Sequence, residues 1–154
     1  MITKTIENIT IYEQELNLER SKEVYQFCQS YLKKKECYAN AFYVMSHYMD
    51  SFKKRGWRIA YGYFMTLDNL FFRHCYIVDN EGNVIDPTYL LTRSDDTEEL
   101  PIYWTFALLD IDEYLSLLEK YDNRPDFLKH YQDTHRTLFK WGLEQEPSIM
   151  FLDY

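Results

Sequence analysis

The chain has 154 residues, 46% of them hydrophobic and 27% charged, and its 25 acidic against 17 basic side chains give a formal net charge of −8. That length suits one domain, residues 1–154, with a full core, and a net negative field repels phosphate backbones, which argues against a nucleic-acid partner. The first residues, MITKTIENIT, lack the long apolar core of a leader, and no run approaches the about 18 residues of a membrane span. Three cysteines cannot all pair and no CxxC is present, so reduced thiols in a cytoplasm are expected. There is no glycine-rich phosphate loop and no internal repeat, and no cofactor or resident metal is implied.

In chain order, ITIY (9–12) reads as a short strand. SKEVYQFCQSYLKKK (21–35) places Val24, Phe27, Cys28, Tyr31 and Leu32 on one helical face, with Ser21 as its N-cap. A second helix is predicted from Cys37 to Lys54, with Ala41, Val44, Met45, Tyr48 and Phe52 at three- and four-residue steps and Gly56 as its stop. From Trp57 the pattern turns aromatic and β-branched: WRIAYGYFMT, FFRHCYIV, NVIDPTYL up to Pro87, and IYWTFALL (102–109) read as strands. SDDTEELP (94–101) reads as an acidic loop, and helices are predicted over 111–121 and 125–143, with Pro125 in a first turn. The order helix–helix, strands, helix–helix argues for an α+β domain in which N-terminal helices and a central Cys-bearing helix pack on a small antiparallel sheet, with helices again at the C-terminus.

DNEGN (79–83) has the chemistry of a three-residue hairpin loop: Asn80 and Glu81 suit a type I turn and Gly82 the left-handed residue after it. In that register Asp79 faces Asn83, Tyr76 faces Asp86 and His74 faces Thr88. His74, Tyr76 and Asp86 then share one sheet face, with His74 diagonal to Asp86 at a Cα separation of roughly 7–8 Å. A two-residue loop would put them on opposite faces. The pair can be a hydrogen-bonded pair without chemistry, and Asp86 before Pro87 can be a turn residue; the same two groups can equally be a base and the acid that orients it.

A thiol nucleophile needs a position that favours the thiolate. Cys75 points to the face opposite His74 and Cys28 lies in the apolar face of the first helix, so both read as core. Cys37 opens the second helix, where unpaired N–H groups and the positive dipole end favour an anion and can bind an oxyanion; it can also simply begin that helix's buried face. A Cys, a His and an Asp are chemically possible zinc ligands, but no paired-ligand motif accompanies them.

ECYANAF opening a helix, YGYF on a strand and then RHCYIVDNEGNVIDPT resemble the compact bacterial and phage members of the papain-like and transglutaminase-like thiol superfamily. The resemblance covers residues 36–91 and implies a papain-like fold with Cys37, His74 and Asp86 as a catalytic triad. The glutamine that papain-like peptidases place shortly before the Cys has no counterpart at that spacing; Gln26 and Gln29 lie further upstream, and the Cys37 backbone N–H is the expected oxyanion donor. The implied function is a cysteine-dependent acyl-transfer enzyme (peptidase, amidase, deamidase or transglutaminase-like) acting on a protein or peptide; Tyr61, Tyr63, Tyr76 and Trp104 are candidate substrate-binding wall residues, with core packing as the alternative for each. The alternative is a non-catalytic protein-binding regulator, possibly phage-encoded, on the same fold.

Overall fold

The computed structural model describes residues 2–6, 9–65, 70–92, 100–135 and 150–153. In chain order these form β1 (Ile2–Ile6), β2 (Ile9–Glu15), α1 (Leu18–Cys28), α2 (Cys37–His47), α3 (Met49–Lys54), β3 (Arg58–Met65), β4 (Leu70–Val78), β5 (Val84–Ile85), α4 (Pro87–Thr92), β6 (Ile102–Leu109), α5 (Ile111–Lys120), α6 (Leu128–Thr134) and β7 (Met150–Asp153). Helices and strands are mixed, as the change from three-to-four to two-residue periodicity predicts.

The strands make one sheet in the order β1-β2-β6-β3-β4-β5, with β7 also paired to β4. Neighbours along that path are antiparallel and β7 is parallel, so the sheet is larger and less uniform than expected. Alternation divides its two faces. Ile59, Tyr61, Tyr63, Cys75 and Ile77 join Val24, Cys28, Ala41, Val44, Met45, Tyr114 and Leu118, so α1, α2 and α5 cover one face. Ala60, Phe64, Tyr76, Val78 and Tyr103 turn to the other and form a second cluster with Leu16 and Val84.

Around that second cluster the sheet curls. Leu16, just past β2, bridges Val84 of β5 in parallel, and the Asn17 N–H donates to the Val84 carbonyl at 2.8 Å. Two strands far apart along the path are thereby drawn together. A bulge on β6 assists: Tyr61 faces Ala107 while Gly62 faces Thr105, leaving Phe106 as the extra residue, and a bulge sharpens local twist. Gly62 is required there, because a Cβ would collide with the Trp104 carbonyl oxygen and the Tyr76 hydroxyl.

The helices differ from expectation at identifiable points. Helix α1 starts at Leu18, earlier than predicted, because Asn17 caps it by accepting from the Arg20 N–H at 3.0 Å. Ser21 is a buried residue of that helix. The predicted second helix begins at Cys37 but breaks at Tyr48 (φ −118°, ψ 32°) into α2 and α3. Gly56, at φ 73°, lies just past α3 as expected. The predicted strand through NVIDPTYL is only two residues long and becomes helix α4 at Pro87, whose fixed φ suits a first helical position. Helix α5 carries the capping box of Asp110 and Glu113. Helix α6 starts after Phe127 rather than at Pro125, because Phe127 adopts left-handed backbone (φ 46°) and sinks into the core at 1% exposure. The expected loop at 94–101 lies outside the described residues except for its last two, and the predicted helix beyond 135 lies outside them.

Candidate functional site

The hairpin has the predicted loop. The Asp79 N–H donates to the Asn83 carbonyl at 2.9 Å, the Gly82 N–H donates to the Asp79 carbonyl at 3.1 Å, and Gly82 has φ 85°. The Asp79 carboxylate closes the turn by accepting from the N–H groups of Glu81 and Asn83, each at 2.9 Å. Ile77 faces Ile85 and Val78 faces Val84, which is the expected register.

That register brings His74 and Asp86 together: His74 Nε2 lies 2.6 Å from Asp86 Oδ2, with His74 1% and Asp86 0% exposed. The same Oδ2 accepts from the Tyr103 hydroxyl at 2.7 Å. Asp86 Oδ1 accepts from the Tyr89 N–H at 3.3 Å, the bond of an N-cap to the third residue of α4. The Asp86 N–H donates to Ser21 Oγ at 3.0 Å, and that hydroxyl donates to the Asn17 carbonyl at 2.7 Å. Asp86 is thus both a partner of His74 and a turn residue before proline.

The His74 ring lies among aromatic rings of the inner cluster, with centroids 5.3 Å from Phe64 and 5.4 Å from Tyr76. Burial is the largest influence on its pKa and would lower it. The charge and hydrogen bond of Asp86, joined by a hydrogen bond and charge from the Cys37 side chain, outweigh burial and push it up to about 9. At neutral pH His74 is therefore an imidazolium within an ion pair. Burial pushes the thiols of Cys28 and Cys75 up, the latter further raised by the neighbouring Cys37.

Cys37 is the first residue of α2 and is fully buried. Its approach is set by Asn40, one turn along the same helix. The Asn40 amide accepts from the Lys33 N–H at 3.0 Å and donates to the Lys33 carbonyl at 2.8 Å, folding the incoming turn onto the helix. It also donates to Thr88 Oγ1 at 3.0 Å, tying the start of α2 to α4 two residues past Asp86. Lys35, at φ 61°, makes the left-handed step that admits the chain to the helix.

A narrow cleft reaches His74 between Tyr38, next to Cys37, and the Asp126–Leu128 segment; Tyr61, Gly62, Arg73, Phe106 and Tyr131 complete its walls. Its floor has room for about one water molecule. Of the four predicted wall residues only Tyr61 lines this cleft. Its hydroxyl donates to the Pro125 carbonyl at 2.6 Å, and its ring packs against those of Phe127 and Tyr131. Tyr63 and Trp104 belong to the large helix-covered cluster. Tyr76 turns into the inner cluster, where its hydroxyl lies 2.7 Å from Thr105 Oγ1, which in turn donates to Gln14 Oε1. Gln26 and Gln29 are exposed at the surface of α1 and its end.

The sequence pattern left out Asn40 and Tyr103 and gave Ser21 another role, that of a helix N-cap. Asn40 carried a readable signal, since an Asn within an apolar helical face is poorly placed unless its amide is used. Tyr103 carried none, being one of 15 tyrosines whose partner is set by the curl of the sheet. No helix of the described residues is long and apolar enough to cross a membrane. No family model, curated protein or solved structure matches the chain.

Proposed function

We propose that the protein is a cysteine-dependent acyl-transfer enzyme on a compact papain-like or transglutaminase-like fold, acting on an amide of a protein or peptide. Cys37 is the nucleophile, His74 the proton carrier and Asp86 the group that orients the imidazole. The observation that carries this reading is the buried His74–Asp86 pair at 2.6 Å on an imidazole that also interacts with the Cys37 side chain. With Nε2 committed to Asp86, Nδ1 is the nitrogen left for the thiol.

Sγ adds as the thiolate, its proton held by the imidazolium, to the substrate carbonyl carbon. The carbonyl oxygen takes the negative charge, for which the Cys37 N–H, unpaired within the helix as first-turn N–H groups are, is a donor. Collapse to the thioester breaks the C–N bond, and the imidazolium gives its proton to the leaving amine. Water or an amine, deprotonated by His74, then adds to the thioester and releases Cys37.

The full burial of Cys37 favours a second reading, a protein-binding regulator on the same fold whose thiol does no chemistry. Incubation with p-nitrophenyl acetate separates the two. The enzyme reading predicts a burst of p-nitrophenol with the acetyl group on Cys37 by peptide mass spectrometry. Cys37→Ser abolishes the burst, and His74→Ala slows it by roughly 10²–10⁴-fold. Acetyl groups confined to lysines, with no burst, would establish the regulator reading.

A further inference from the structure

We propose that Tyr103 is a positioning residue for the His74–Asp86 pair, holding the carboxylate in the orientation that receives the imidazole and moderating its pull on the imidazole proton. The inference rests on the acyl-transfer reading for its purpose, but its geometry stands apart from it. Tyr103 Oη and His74 Nε2 meet the same oxygen of Asp86, at 2.7 and 2.6 Å, and Tyr103 is fully buried. The Tyr89 N–H on Oδ1 and the Tyr103 hydroxyl on Oδ2 approach the carboxylate from different elements, α4 and β6, so its plane is held from two sides.

The neighbouring polar link does not compete for this role. Tyr76, whose ring centroid lies 4.8 Å from that of Tyr103, directs its hydroxyl to Thr105, and Thr105 donates to Gln14. Two donors on one carboxylate oxygen draw on the same electron density, so each weakens the other's bond. Removing the phenol hydroxyl leaves the imidazolium as the remaining donor on Oδ2, and it must then hold its proton to higher pH.

The test is an NMR titration of the His74 imidazole in the intact protein and in Tyr103→Phe and Thr105→Val. Tyr103→Phe is expected to move the His74 midpoint upward by about half a pH unit or more, while Thr105→Val, which removes a hydroxyl from the same buried layer, leaves it in place. A midpoint unmoved by Tyr103→Phe, or moved equally by Thr105→Val, overturns the proposal. Should Tyr103→Phe not fold, difluorotyrosine at position 103 keeps the shape and strengthens the donor. The midpoint must then fall, and an unchanged one overturns the proposal. Because the readout is a titration, a Cys37 that forms no thioester would remove the acyl-transfer reading while leaving a shifted midpoint as support for Tyr103.

Discussion

Asp86 accepts from three donors and anchors a fourth contact through its own N–H, so its substitution separates charge from shape. Asp86→Asn keeps an acceptor for Tyr89 and the size of the side chain but removes the charge opposite His74. The folded His74 pKa, about 9 against an ordinary 6.5, means that the native state holds a proton the unfolded chain has released. The stability this adds is fully present below pH 6.5 and is lost as pH rises through about 9. Urea unfolding should therefore show the wild-type midpoint falling across that window by the equivalent of a few kcal/mol, and a flatter profile in Asp86→Asn. Equal slopes would mean that the ion pair does not set the titration of His74.

At the scale of elements, what could be read from the residues is what short-range chemistry decides. The register of the β4–β5 hairpin follows from Asp79, Gly82 and strand alternation, and the start of α2 follows from an apolar face that begins at Cys37. The strand ends before Pro87 as expected, but helix α4 after it was not foreseen, although Asp before Pro is also the signature of a helix start. The first cap was misplaced because Asn17 and Ser21 are both capping types, and only the packing of α1 against Asp86 assigns Ser21 to a buried bond. Gly62 is the element-scale residue on which the site depends, since it faces His74 across β3 and β4 and admits both the Tyr76 hydroxyl and the β6 backbone. Gly62→Ala should cost about 2 kcal/mol or more through overpacking, seen as a fall in Tm of roughly 4 °C or more by circular dichroism. A Tm unchanged to within about 1 °C would mean that the strands part easily there.

Over the whole molecule, the site exists because the sheet curls until Leu16 meets Val84, which lets Tyr103 on β6 reach Asp86 beyond β5. No local pattern encodes that closure, nor the pairing of β1 with β2 or of β7 with β4, so these were not legible in advance. All three thiols are buried in the helix-covered cluster, and Cys37 is the one that acts on the charged His74 imidazole. Iodoacetamide labelling of the folded protein, followed by mass spectrometry of tryptic peptides across pH 5 to 9, tests this most directly. Cys37 is expected to be labelled well before Cys28 and Cys75, and His74→Ala to slow that labelling by removing the cation that acts on the Cys37 side chain. A Cys37 no more reactive than the other two thiols at every pH, and indifferent to His74→Ala, would contradict it.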